Sequence, residues 1–255
     1  RSYDPAFHYE TAVIIFEGLK RLYEDGETAI YYLMVGNDNY VMPKMPEGCE
    51  EGIVNGIFFN QGHVCCAGSR LFVQESVADE VIAKLKDRME TLIVGDPLDK
   101  NTDVGAINSA EQLATIKRYL KIGKDEGADV HQSSCAVPRR GYWCRPTLFT
   151  GVSQSNRVVQ EEIFGPVLAI QTFRTFDEAL AKANNTPYGL SGGIWTDKGA
   201  KIFRMTQGVR AGVVWANTFN KFDPTSPFGG YKESGVGREG GLHGLDAYVQ
   251  LEAIK

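Results

Sequence analysis

Short apolar runs alternate with helical-period segments along this chain, and that alternation leaves few architectures open. Val167–Phe173 is a short apolar run that leads into a helical pattern over residues 175–183, followed by the turn residues Asn184-Asn-Thr-Pro-Tyr-Gly189. Gly193-Ile-Trp-Thr and Gly212-Val-Val-Trp-Ala-Asn flank a helix predicted at about residues 199–207. Upstream, Val77, Val81, Ile82, Leu85, Met89 and Leu92 recur at helical spacing behind Ser76 and Asp79, which read as a capping pair, and Gly95-Asp-Pro ends that helix. Ser109 with Gln112 opens another helix that carries Leu113, Ile116 and Leu120 inward and stops before Gly127. Val13, Phe16, Leu19 and Leu22 predict a helix over residues 10–24, and residues 29–35 predict a strand. Together these patterns predict an α/β fold with a mainly parallel sheet flanked by helices.

The bulk numbers narrow the function classes. A chain of 255 residues with 43% hydrophobic content can bury a sizeable core. Its net charge of −5 carries no basic stripe, so nucleic acid is not an expected partner. No apolar stretch approaches the length of a membrane span, so a membrane is not expected either. Cys49, Cys65, Cys66, Cys135 and Cys144 are odd in number and lack CxxC spacing or a histidine cluster. Neither a disulfide framework nor a metal site is expected, and a reducing cytoplasm is the simplest location. The chain opens Arg1-Ser-Tyr-Asp-Pro without a methionine, which reads as a piece of a longer protein.

Phe58-Phe-Asn-Gln-Gly-His-Val-Cys-Cys-Ala-Gly-Ser-Arg70 places Cys65 among glycines and small residues. Gly62, Ala67 and Gly68 permit backbone N–H groups to approach the sulfur and a developing oxyanion, which suits a nucleophile. The F-x-x-x-G-x-x-C spacing of Phe58, Gly62 and Cys65 resembles the active-site signature of the aldehyde dehydrogenase superfamily. Cys65 matches the family nucleophile, with Cys66 beside it in the substrate pocket. His63 departs from the Gln or Glu usual after the glycine. It either replaces that residue or, as a rival reading, partners Cys65 in hydrolysis of an acyl group.

The resemblance runs from about residue 53 to residue 250. In Glu161-Glu-Ile-Phe-Gly-Pro166 it implies that Glu162 holds the nicotinamide ribose and that Phe164 lies on the nicotinamide side. Gln112 matches a position that reaches the cofactor in some members, although a capping role with Ser109 explains it more simply. In Ser226-Pro-Phe-Gly-Gly-Tyr-Lys-Glu-Ser-Gly235, Phe228 would line the aldehyde pocket or pack in the core. Asn217 ends a strand, where such a residue is commonly a turn-former. Gly235-Val-Gly-Arg-Glu-Gly240 spells G-x-G-x-x-G, but the chain ends too soon for the second strand and acidic residue of a dinucleotide fingerprint. The Arg238-Glu-Gly-Gly-Leu tail leans toward the atypical family 16 branch.

The upstream segment has a different pattern. Counting back from Cys65 puts the family's general-base glutamate at about Tyr31, where neither a carboxylate nor Gly-Gly-Lys stands. Tyr3-Asp-Pro-Ala-Phe, Gly18-Leu-Lys-Arg-Leu-Tyr, Asn37-Asp-Asn-Tyr40 and Met45-Pro-Glu-Gly48 resemble the homodimeric pyruvate dehydrogenase E1 component. The expected organisation is an E1-like segment over residues 1–52 and an aldehyde dehydrogenase catalytic domain over 53–255, joined through a passage either family supplies. The resemblance implies oxidation of an aldehyde to an acid with NAD or NADP, through a thiohemiacetal and a thioester on Cys65, in a homo-oligomeric parent protein. The base, the oxyanion asparagine and most of the cofactor domain would lie in the family's other half, so little turnover is expected from this chain alone. The competing expectations are a non-catalytic oligomerisation module and a thiamine-diphosphate enzyme fragment.

Overall fold

The structure is a computed structural model that describes residues 2–3, 32–33, 49–246 and 248–249. It divides into two compact units, Arg1–Pro46 and Glu47–Lys255. In the first, β1 (Ser2–Tyr3) pairs in parallel with β2 (Tyr32–Leu33), so the strand expected over residues 29–35 is present at its described positions. The helix expected over residues 10–24 lies outside the described residues.

The second unit is built on a four-stranded sheet. Its strands are β3 (Arg70–Gln74), β4 (Asp129–Gln132), β5 (Thr147–Thr150) and β6 (Val167–Phe173). The spatial order is β3-β6-β5-β4, with β6 parallel to both neighbours and β4 antiparallel at one edge. β6 is the apolar run of the sequence, and residues 167–171 of it are all buried. An interior parallel strand is covered on both faces, which is why it is continuously apolar instead of alternating.

Helices supply the two covers. α1 (Cys49–Phe58) packs on β6 and on α2 (Ala78–Glu90), which reaches β3. Arg88 of α2 clamps Glu51 of α1 through two hydrogen bonds of 2.7 and 3.3 Å. α3 (Ala110–Asp125) covers the face that carries Val167 and Ala169, burying Ile116 and Tyr119 against Phe149, Val158 and Val159. Its N-terminus is the predicted one, since Ser109 Oγ accepts the Gln112 backbone N–H at 3.1 Å. Gly127, at φ +86°, turns the chain out of the helix as expected.

The capping pair assigned to α2 is a correction. Ser76 lies inside a 3-10 turn over Glu75–Val77, the helix starts at Ala78, and Val77 at its cap makes no side-chain bond. A turn already wound when it enters the helix leaves Ser76 no extended position from which to cap, and Asp79 and Glu80 instead place negative charge on the first turn.

A short α4 (Arg157–Gln160) precedes β6, and α5 (Phe176–Asn184) follows it, capped by Thr175 within one residue of expectation. β7 (Tyr188–Gly189) and β8 (Ser191–Ile194) come next, then α6 (Gly199–Gly208) and β9 (Val213–Ala216). β8 and β9 pair in parallel across α6, the expected strand–helix–strand unit. β10 (Tyr231–Lys232) pairs antiparallel with β7, and α7 (Gly241–Leu245) follows. Among the described residues no helix is long and apolar enough to cross a membrane, and no three His, Cys, Asp or Glu side chains are grouped to hold a metal.

Candidate active site

The segment that carries Cys65 links α1 to β3, and unusual backbone geometry shapes it. Asn60, Gln61 and Gly62 are consecutive left-handed residues, with φ of +50°, +58° and +72°. Side chains offset the strain at the two non-glycine positions. Asn60 Nδ2 donates to the His63 carbonyl at 3.0 Å, and Gln61 Oε1 accepts the Gly105 N–H at 3.1 Å. At Gly62 the chain passes so close to the 161–166 loop that a Cβ there would stand 2.1 Å from the Gly165 carbonyl oxygen. The cysteine loop and the Glu161-Glu-Ile-Phe-Gly-Pro166 loop are therefore in backbone contact.

One further contact ties these loops, and a second anchors the 161–166 loop to α3. The His63 and Phe164 rings stack with centroids 5.6 Å apart and planes 7° from parallel. Gln112 Nε2 donates to the carbonyls of Ile163 and Phe164, each at 2.9 Å. Gln112 thus serves α3 with its backbone and the loop with its side chain, holding Phe164 in a left-handed conformation at φ +56°. Replacing Gln112 with Ala should cost about 1–2 kcal/mol in urea unfolding, because two carbonyls lose their donor. It should also speed proteolysis within residues 161–166, and unchanged cleavage there would remove Gln112 from this role.

The two glutamates of the loop differ in occupation. Glu161 accepts from Arg157 and from the Tyr119 hydroxyl at 2.7 Å, and these bonds, Arg157 first, lower its pKa to about 2. Glu162 is exposed, and its carboxylate has no partner among the described residues. Because the folded Glu161 pKa lies below its ordinary 4.5, the stabilisation is complete above that value and lost as pH falls from 4.5 toward 2. Glu161→Gln should lower stability at pH 7 by about 1 kcal/mol after solvent screening, and the difference from the parent should vanish near pH 2. A difference that persists there in urea titrations would exclude the ionic account.

The adjacent cysteines also divide. Cys65 is exposed, whereas Cys66 is buried and donates from Sγ to Asn220 Oδ1 at 3.3 Å. Burial, with the Cys65 thiol adding to it, pushes Cys66 up to about 11. His63 does not complete a dyad with Cys65. Its ring faces Phe164, its Nε2 is buried with no hydrogen-bond partner, and burial alone holds its pKa below the ordinary histidine range.

An aromatic chain reaches the cysteine loop at Gly68. Phe228 meets Phe222 edge-on at 5.1 Å, Phe222 meets Trp215 at 5.4 Å, and Trp215 meets Phe219 at 4.9 Å. Phe219 lies against Gly56 and Gly68, next to the cysteine loop. Sequence reasoning missed Asn220 and Phe219, which carry no motif of their own. Asn217 is the turn-former expected after β9: at φ +54°, its amide bridges the N–H and carbonyl of Thr196 at 2.9 and 3.1 Å. The G-x-G-x-x-G stretch folds around its own arginine, Arg238 Nη1 donating to the carbonyls of Gly230 and Gly237. Among the described residues the five-residue α7 is the only element that follows it.

A profile of the aldehyde dehydrogenase family matches residues 40–254. The chain belongs to that family. A second profile, the pyruvate dehydrogenase E1 component middle domain, matches residues 1–43. An aldehyde dehydrogenase of Aspergillus niger is 44% identical over 199 residues, covering 78% of this chain and 40% of that protein. The mitochondrial aldehyde dehydrogenase of Mesocricetus auratus is 42% identical over 198 residues, again 78% of this chain and 40% of that one. Among solved structures, an indole-3-acetaldehyde dehydrogenase complexed with NAD+ superposes with a TM-score of 0.78 at 36% identity, covering 94% of this chain and 50% of that one. A betaine aldehyde dehydrogenase of Staphylococcus aureus in complex with NAD+ gives 0.76 at 33% identity, covering 97% and 49%. The chain therefore spans about two fifths of the curated relatives and half of the solved structures. The mainly parallel α/β architecture of this aldehyde dehydrogenase chain matches those neighbours.

Proposed function

We propose that this chain carries the catalytic half of an NAD(P)-dependent aldehyde dehydrogenase, with Cys65 as its nucleophile. The carrying observation is the interlock of Gly62 with Gly165, which sets the exposed thiol's loop against the loop of Glu162 and Phe164. A thiol that attacks a carbonyl must be reachable and must face whatever receives the hydride. Cys65 Sγ would add to the aldehyde carbon, and its own backbone N–H would take part of the oxyanion's charge. Phe228 and the aromatic chain that reaches the cysteine loop would exclude water from an apolar substrate.

The free Glu162 carboxylate on a rigidly held loop fits two ribose hydroxyls as acceptor, and the half-exposed Phe164 ring fits the nicotinamide side. NAD or NADP, when bound, supplies the hydride acceptor. Gln112 would act by holding that loop. The general base and oxyanion asparagine that the resemblance implies have no counterpart among these 255 residues.

A purified preparation should form a covalent adduct with a thiol-directed aldehyde analogue at Cys65 in preference to Cys135 and Cys144. Its NAD-dependent turnover should lie below that of a full-length relative by at least the roughly 10²–10⁴-fold owed to a general base. NADH production at a full-length relative's rate would overturn the division of labour. Absence of a Cys65 adduct would favour the non-catalytic oligomerisation module.

Residues 1–52 are proposed as an E1-like segment joined to the aldehyde dehydrogenase domain at 53–255, a reading the profile match over 1–43 supports. Calorimetry with thiamine diphosphate should give no heat, and sequencing across the codons for residues 45–60 tests the join. Homo-oligomerisation, a cytoplasmic site and placement in the family 16 branch are proposed on the family resemblance, the free thiols and the Arg238–Leu242 tail respectively.

A further inference from the structure

Cys135 and Cys144 lie outside the site and belong to the two arms leading away from β4 and β5. These strands pair antiparallel in a constant register, His131 opposite Leu148 and Gln132 opposite Thr147. Beyond the last ladder pair the register persists, the Ser133 N–H donating to the Pro146 carbonyl at 3.0 Å. Beyond that pair the ladder ends, the Cys135 N–H turning to Ser133 Oγ at 3.2 Å, yet Cys135 still lies close enough to Cys144 to act on its thiol electrostatically. The arms are still adjacent at that level, because Arg145 Nε donates to the Cys135 carbonyl at 2.7 Å.

On adjoining irregular arms a small shift is enough to bring two such residues to the roughly 4.4–6.8 Å Cα separation that a disulfide spans. Both thiols are free, Cys144 buried and Cys135 half-buried. The loop between them is already folded back, Trp143 Nε1 donating to the Arg140 carbonyl at 2.7 Å. Closing it therefore orders little additional chain.

We propose that Cys135 and Cys144 are an oxidant-responsive pair that forms an intrachain disulfide by exchange with a low-molecular-weight disulfide of the glutathione class. The more accessible Cys135 thiolate attacks the S–S bond of that reagent, forming a mixed disulfide and releasing one thiolate. Cys144 then gives up its proton and attacks Cys135 Sγ, displacing the second thiolate. Two protein thiols are oxidised and one small disulfide is reduced to two thiols. Burial is the largest influence on Cys144 and pushes it up to about 11, so it is a poor partner for a dissolved reagent and acts only where Cys135 is held beside it. Once made, the bridge would clamp the loop whose Tyr142 carbonyl accepts the Ile107 N–H at 2.7 Å.

Peptide mass spectrometry under non-reducing conditions, after incubation of the whole chain with oxidised glutathione, tests this. A linked peptide pair containing Cys135 and Cys144 is expected, reversed by dithiothreitol. Cys144→Ala should instead accumulate a glutathionyl adduct on Cys135 that the parent does not retain. Cys135→Ser, at a half-buried position, should abolish both products and leave Cys144 unmodified. A parent chain that keeps glutathione on Cys135, or bridges it to another cysteine or to another copy, would overturn the proposal.

Discussion

Gly62→Ala is expected to destabilise the chain by about 3 kcal/mol or more and to part the cysteine loop from the 161–166 loop. Two costs add. The residue sits at φ +72°, where a β-carbon is disfavoured, and that carbon would lie 2.1 Å from the Gly165 oxygen. Neither side can yield cheaply. Gly165 is pressed against Ile116, where its own Cβ would meet Cδ1 at 2.6 Å, and Asn60 and Gln61 hold the other side through hydrogen bonds. Urea unfolding gives the energy, and the rate at which Cys65 is alkylated reports the loop. Loss of less than about 1 kcal/mol would mean the two loops are not in contact in solution, removing the basis for placing Cys65 against Glu162 and Phe164.

Alkylation of Cys65 is expected to outpace that of Cys66 by at least about 100-fold at neutral pH. The thiolate is the reacting species, and raising Cys66 from 9.0 to about 11 leaves it roughly a hundredth of the thiolate of an ordinary thiol. Burial of its sulfur slows access further, so the ratio is a lower bound. Iodoacetamide labelling followed by peptide mass spectrometry measures both residues at once. If Cys66 reacts first, the nucleophile assignment fails, since exposure of one sulfur and burial of the other separate the pair. Asn220→Ala should leave the order unchanged, because burial is the largest influence on Cys66 and that hydrogen bond is not among the causes that raise it.

Periodicity and end signals carried much of the fold. α3 is legible because its amphipathic face, its Ser109 cap and Gly127 agree, and β6 because an apolar run of that length between turns fits a covered strand. β3, β4 and β5 left weaker traces. Arg70–Gln74 starts on an arginine, Asp129–Gln132 is polar, and Thr147–Thr150 is short, so each becomes a strand only by pairing. α1 contains Gly52 and Gly56, which lower helix propensity, yet packing on β6 outweighs the loss.

By itself the order of residues determined the fold class, the motif around Cys65 and the family that motif belongs to, because spacing and flanking small residues are local properties. Only the tertiary structure decided which of two neighbouring cysteines is open, which of two neighbouring glutamates is free, and that Gln112 and His63 grip the loop of Phe164. Apart from the Arg157–Glu161 pair, four residues apart, those outcomes depend on burial and on partners far along the chain, which no local pattern encodes.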